Sequence, residues 1–256
     1  MASILEIDFA QPEGFRPLSL DLRTPDAEAA PLVVFLHGGG WLRGSRRTFT
    51  PGISAAQSFD RIVAAGFAVA SCEYRLSGEA RFPAQLDDVD AALAWLRTHA
   101  SDYGVDAVRP VLWGVSAGAT LAALTGLRRD DIAGVVDWFG PADLFTLAEL
   151  DTGERPEDTR EARWIGGPAA SFPDAARAAS PALQAHPGAP PFHIAHGTAD
   201  ELVPFVQSEA LAAALTTVGA DVEFDAVPGG GHFWQDVEDT ALLFDRAIAF
   251  CRRATA

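Results

Sequence analysis

The chain has no lysine, and all 19 of its basic residues are arginine. Schiff-base chemistry, pyridoxal phosphate anchoring and the lysine of a P-loop are therefore excluded. Cysteine is nearly absent as well. Cys72 and Cys251 are too few for a disulfide framework or a structural zinc site, and Cys72, inside an apolar run, reads as a small core residue. Positive charge is scarce against 35 acidic residues. The net charge of −16 argues against nucleic acid, whose phosphates require a basic face, and against docking on anionic membranes. A membrane-spanning run is missing too. Pro110 to Leu127 carries no charge, but three glycines with Ser116, Thr120 and Thr125 thin it, so a strand followed by a core helix fits better than a span. The opening MASILEIDFA lacks the basic segment and apolar stretch of a secretory signal, which makes a cytoplasmic location the expectation.

What is present reads as one globular domain over residues 1–256. Hydrophobic residues make up 48% of the chain and charged residues 21%, ordinary values for a chain that can bury a sizeable core. Short apolar runs alternate with helical patterns, the signature of βαβ units and an α/β fold with a mostly parallel sheet flanked by helices on both faces. Strands are predicted at Leu32 to Leu36, Phe67 to Cys72, Val111 to Trp113, Gly134 to Phe139, Phe192 to Ala195 and Val222 to Val227. A weaker antiparallel hairpin is predicted near residues 4 to 22. Helices are predicted at Ser54 to Ala65, Asp87 to His99, Ala117 to Leu127, Gln207 to Val218 and Glu238 to Arg253. From Pro141 to about Pro190 the rhythm breaks in a strandless stretch rich in Pro, Ala, Asp, Glu and Arg, which reads as a short cap over a site.

Within the uncharged run, Gly114-x-Ser116-x-Gly118 has the spacing of a nucleophile elbow, a strained strand-to-helix turn that exposes one hydroxyl. A serine needs a base to take its proton. Among six histidines, His232 stands out because VPGGGHF places it on a glycine-rich turn straight after a strand. His99 ends a helix and suits its C-terminal dipole, and His186 lies in a proline-rich loop with no assigned role. A carboxylate must hold the imidazole in its tautomer. HIAHGTADELVP supplies Asp200 at the end of a strand, with Glu201 and the more distant Asp225 as competitors. The order serine, acid, histidine is the one this architecture requires. For the oxyanion of a tetrahedral intermediate, FLHGGGW offers the amides of Gly39 and Gly40, and Ala117 completes the set. His37, just before those glycines, reads as a loop-fixing residue.

Six segments in register, HGGGW, EYRLSGEARFPAQLDDVDAALAWLR, GVSAGATLAAL, VDWFGPADL, PPFHIAHGTADELVP and GGGHF, extend over nearly the whole chain. Through them the sequence resembles the α/β-hydrolase esterases of the hormone-sensitive-lipase type, and among these the small bifunctional feruloyl and acetyl-xylan esterases. The resemblance implies an α/β-hydrolase fold, Ser116, Asp200 and His232 as the triad, and Gly39, Gly40 and Ala117 as the oxyanion hole. Two departures touch the substrate. Ala119 and Thr120 stand where relatives commonly have Gly-His, and Phe233 and Trp234 follow the histidine where a small residue is common.

The expected activity is a serine carboxylesterase acting on a small-molecule ester, with no cofactor or metal. Trp41, Trp164, Phe233 and Trp234 are candidates for the pocket wall. The segment 141–190 lacks a long amphipathic helix, so short acyl chains, acetyl or feruloyl groups included, are expected over lipids. An amide or formamide hydrolase such as a kynurenine formamidase uses the same machinery and stays open. A non-catalytic hydrolase-fold binding protein is a third reading, disfavoured because His232 is present. Arg43, Arg46 and Arg47, just after HGGGW, read as a solvated basic loop, with contact to a substrate carboxylate as the alternative. Nothing in the sequence specifies an oligomeric state.

Overall fold

A computed structural model describes residues 2–149 and 155–256. Its centre is one eight-stranded sheet in the order β1-β2-β4-β3-β5-β6-β7-β8. The strands are β1 (Ala2–Ala10), β2 (Leu18–Thr24), β3 (Ala30–Leu36), β4 (Ala68–Cys72), β5 (Val105–Val115), β6 (Gly134–Trp138), β7 (Phe192–Gly197) and β8 (Val222–Val227). Strands β1 and β2 form an antiparallel hairpin, β2 pairs antiparallel with β4, and every pairing from β4 through β3 to β8 is parallel. Strand β3 lies between β4 and β5, so the chain winds outward from it in both directions. The crevice at such a switch point, at the carboxyl ends of the strands, is where open α/β sheets collect ligands.

The period-2 alternation of β3 explains its double burial. Leu32, Val34 and Leu36 face an apolar layer shared with helices α2 (Ala84–His99) and α3 (Ala117–Arg128), and Cys72 lies in that layer. Val33 and Phe35 face a second layer with Phe59 and Ile62, and with Leu243, Phe244, Ala247, Ile248 and Cys251 of the C-terminal helix (Thr240–Ala254). That last spacing is the stripe of a surface helix. Helices therefore cover both faces.

Several boundaries differ from the sequence reading. The helix expected from Ser54 shrinks to α1, Phe59–Ala64. Before it, the hydroxyl of Ser58 donates to the carbonyl of Ser54, and the side chains of Ser54 and Gln57 bond each other, so local side-chain bonds replace the first helical turns. Strand β5 begins at Val105 rather than Val111, because its first half carries exposed Asp106, Val108 and Arg109 and shows no apolar run.

The segment 141–190 holds α4 (Leu144–Ala148), α5 (Arg160–Ile165), α6 (Pro173–Ala178) and a 3₁₀ turn, Pro181–Leu183, with no strand among its described residues. Residues 150–154 of this expected cap lie outside the described residues. Asp143 and Thr159 cap α4 and α5 by accepting backbone N–H bonds. The segment is tied to the sheet domain by Gln207, whose Oε1 accepts from the amides of Ala142 and Asp143, and by Trp164, whose indole N–H donates to Gln85 Oε1. Gln207 lies in the first turn of α7 (Val206–Thr217), and Thr240–Ala254 is α8.

Candidate active site

Five parallel strands deliver their next residues to one edge of the sheet. Strand β3 leads into His37 to Gly40, β5 into Ser116, β6 into Phe139, β7 into Asp200 and β8 into His232. At the β5–α3 junction, Ser116 has φ +53° and ψ −125°, a backbone conformation that disfavours any residue with a Cβ. The two glycines are there for space. A Cβ on Gly114 would lie 2.2 Å from the carbonyl oxygen of Gly118, and one on Gly118 would lie 2.1 Å from that of Leu36. The amide of Ser116 donates to the carbonyl of Trp138 at 2.9 Å and holds the turn against β6. Trp41, Phe139, Phe233 and Trp234 also have positive φ, so most of the non-glycine residues of this kind gather at this edge. Such strain persists only where surrounding packing over-determines it.

The strain brings three side chains into a line. His232 Nε2 lies 3.1 Å from Ser116 Oγ, and His232 Nδ1 lies 2.5 Å from Asp200 Oδ2. With Nδ1–H donating to the carboxylate, Nε2 is left to accept from the serine hydroxyl. Phe139 and Phe233 flank the imidazole edge-on, at centroid distances of 4.8 and 4.2 Å. Asp200 is fully engaged: its Oδ1 accepts the amides of Leu202 and Val203, both at 2.9 Å. Glu201 is exposed, and Asp225 bonds Arg246 on the outer strand, so neither competitor approaches the histidine.

Sequence reasoning missed His196. Its Nε2 lies 3.1 Å from Asp200 Oδ2 and 2.9 Å from the carbonyl of Val203, and its Nδ1 lies 2.7 Å from Ser208 Oγ. Both partners of Nε2 only accept, so that nitrogen carries a hydrogen, and one carboxylate oxygen serves two imidazoles. Burial works against the Asp200 carboxylate, but the bonds from His196 and His232 outweigh it and hold its pKa below the ordinary carboxylate range. The available signal was a histidine in β7, four residues before the acid, in a fully buried strand that also holds His193. A second omission is Asp137 beneath the elbow, whose carboxyl burial pushes up to about 6 although the amide of Gly140 donates to it.

Ser116 opens onto a cleft of about 880 Å³ whose wall includes Gly39, Gly40, His232 and Phe233. Ala117 is the first residue of α3, where helix geometry leaves amides without an intrahelical acceptor. His37 acts on its own loop, donating from Nδ1 to the carbonyl of Gly38 and stacking on Tyr74, and burial lowers its pKa to about 4.

Three of the four aromatic candidates are not on the wall. Trp41 and Trp164 are fully buried and stack face to face at 4.0 Å. Trp234 packs edge-on against Trp138 and Phe139 in the core. The basic loop is corrected as well. Arg46 is buried, with Nε 2.8 Å from Asp21 Oδ1 and an ion pair to Glu73. Arg47 pairs with Glu6, and only Arg43 lines the cleft.

A model of the BD-FAE family matches residues 20–215. The chain belongs to the BD-FAE family. This BD-FAE chain is 31% identical over 240 residues to Esterase LipQ of Mycobacterium tuberculosis, a match that covers 86% of the chain and 55% of LipQ. It is 30% identical over 220 residues to Esterase LipC of the same organism, covering 79% and 53%. The chain thus spans about half the length of the curated relatives it matches. Among solved structures, a truncated carbohydrate esterase from gut microbiota superposes with a TM-score of 0.87 at 27% identity, covering 99% of this chain and 96% of that one. The bifunctional GH43-CE protein of Bacteroides eggerthii gives 0.86 at 28% identity, covering 99% and 38%. The sheet, its strand order and these neighbours are those of the α/β-hydrolase fold. No helix among the described residues is long and apolar enough to cross a membrane.

Proposed function

We propose that this BD-FAE protein is a serine carboxylesterase for small, short-acyl esters. The observation that carries the reading is the hydrogen-bonded line from Ser116 Oγ through His232 to Asp200, set on a positive-φ elbow that faces a cleft. The names of LipQ, LipC and the carbohydrate esterase support the same reaction class.

In this mechanism His232 Nε2 takes the hydroxyl proton as Ser116 Oγ attacks the ester carbonyl carbon. The carbonyl oxygen becomes an oxyanion and is met by the amides of Gly39, Gly40 and Ala117. Collapse of the intermediate breaks the bond to the alcohol, which leaves with the proton from His232. A water molecule, deprotonated by the same nitrogen, then attacks the acyl-serine and releases the acid. Asp200 stays ionised throughout, orients the ring and stabilises its charged form. His196 positions Asp200 and touches no reacting atom.

The chain-length preference follows from burial. Each added methylene that fits gains about 0.8 kcal/mol until overlap reverses the trend. Acyl chains of roughly two to six carbons should be best by that argument, with esters of carbohydrate the substrate class that the name of the gut-microbiota carbohydrate esterase suggests.

The deciding experiment pairs fluorophosphonate labelling with kcat/KM along p-nitrophenyl acetate to palmitate. Wild type should label, and Ser116→Ala should lose both label and turnover, by roughly 10³-fold or more. Near-normal turnover in the alanine variant overturns the nucleophile assignment. An optimum at long, micellar chains overturns the substrate class.

A further inference from the structure

The chain is strongly acidic, with a net charge of −16, but the wall of the Ser116 cleft is not. Among the described residues three arginines line it, Arg43, Arg160 and Arg163, against one acidic residue, Asp158. That carboxylate is already engaged, since Arg155 reaches it at 2.6 Å while Arg163 stands off at 3.8 Å. Arg160 has Glu161 at 3.9 Å, beyond hydrogen-bond distance. Arg43 has neither ion pair nor hydrogen bond to another side chain among the described residues. The neighbouring arginines show how this protein neutralises such a charge when it has no other use, because Arg46 and Arg47 are held by Asp21, Glu73 and Glu6.

Both cleft arginines are seated on the glycine loop. A Cβ on Gly40 would lie 2.9 Å from Arg160 Cδ, and a Cβ on Gly39 would lie 2.0 Å from the Arg43 carbonyl oxygen and 3.3 Å from Arg43 Cγ. The glycines that offer free amides thus also make room for these two residues, one from the loop itself and one from α5. Two arginines thus line the cleft beside the glycine loop, and among the described residues Asp158 is the one carboxylate on the cleft wall.

We propose that Arg43 and Arg160 form an anion subsite, and that the substrate class is an ester carrying a carboxylate on its acyl or its alcohol part. A planar guanidinium matches a carboxylate in two parallel hydrogen bonds. A local positive patch on an acidic protein also draws anionic substrates to the one face that accepts them. The inference rests on the reading of Ser116 as the nucleophile of ester hydrolysis, and its test separates the two.

The test uses isosteric pairs that differ in one charge. For the alcohol side the pair is 4-acetoxybenzoate and 4-acetoxybenzamide; for the acyl side it is methyl hemisuccinate and methyl succinamate. On at least one side the wild type should favour the anion in kcat/KM by roughly five- to tenfold at low salt, the scale of exposed charge pairs. The ratio should fall toward one in 0.5 M salt by screening, where the Debye length shortens to about 4 Å. It should drop to one in the Arg43→Gln, Arg160→Gln double variant and invert in Arg43→Glu. The side that shows the ratio identifies where the carboxylate sits. A wild-type ratio of one or less on both sides, or a ratio that the double variant leaves unchanged, overturns the subsite while neutral-ester turnover leaves the esterase reading standing. If no ester is turned over, equilibrium binding of 4-acetoxybenzoate against 4-acetoxybenzamide to Ser116→Ala still decides. Equal affinities overturn the subsite, and tighter binding of the anion that Arg43→Gln and Arg160→Gln abolish supports it.

Discussion

Arg43 and Arg46 lie three residues apart on one loop, yet Arg46 is buried against Asp21 and Glu73 while Arg43 lines the cleft without a carboxylate partner among the described residues. The same contrast divides the floor of the site from its rim. On the floor, both oxygens of Asp200 are bonded, His232 packs against two phenylalanine rings, and Ser116 is held at a backbone angle it would not choose alone. On the rim, long arginine side chains reach into the cleft with loose contacts of 3.8 and 3.9 Å. Proton transfer needs groups fixed to a few tenths of an ångström. Charge selection works over several ångströms and needs only a favourable field. On the proposed reading, turnover belongs to the floor and substrate choice to the rim.

The largest expected effect is on the floor. Asp200→Asn should cut kcat by about 10⁴, because an amide in that place favours the wrong tautomer of His232. Glu201→Gln, one residue away and exposed, should stay within about twofold by the ordinary rule for surface substitutions. Steady-state turnover of a neutral ester measures both, and a reversed ranking would put the acid on Glu201.

Next comes a residue that sequence reading placed on the pocket wall. Trp41→Ala removes a fully buried ring stacked on Trp164, which should cost about 3–5 kcal/mol of stability. Urea unfolding reads this directly. A variant of unchanged stability with an altered KM would return Trp41 to the cleft.

Asp137 tests the strain under the elbow through pH. Its pKa is raised in the folded state, to about 6, so ionisation disfavours folding. The penalty is absent below the unfolded value of about 4 and grows as pH rises to about 6. The stability of Asp137→Asn relative to wild type should therefore rise over that window, by up to roughly 3 kcal/mol at 1.36 kcal/mol per unit. Parallel stability curves for the two proteins from pH 4 to 7 would show that Asp137 ionises freely.

The smallest expected effect belongs to His196. Replacing it with Phe removes one donor from Asp200 Oδ2, leaving more negative charge to stabilise protonated His232. The acidic limb of the kcat profile should move to higher pH, with turnover down about tenfold, the size of one charge-assisted hydrogen bond. His196→Gln, which keeps an N–H, should recover most of both. A loss of rate with an unmoved pH profile would reduce His196 to packing.

Much of this was legible in the sequence because it is local. The period-2 and helical patterns mark the central strands and α2, α3, α7 and α8, while exposed residues weakened the signal of the β1–β2 hairpin and hid the first half of β5. Ser116, Asp200 and His232 stood out because each sits on a turn straight after a strand, and the structure brings these three into contact.

What the sequence determined by itself was the order of the elements, the elbow and the absence of lysine chemistry, since each depends on residues within a few positions of one another. Tertiary structure alone decided which of two consecutive residues, Phe233 or Trp234, turns to the cleft and which to the core. It also decided that His196 shares a carboxylate oxygen with His232, and that Arg160 of α5 rests on Gly40, 120 positions earlier in the chain. Those choices come from competition among distant surfaces for the same space and the same hydrogen bonds, and no local pattern encodes the outcome of that competition.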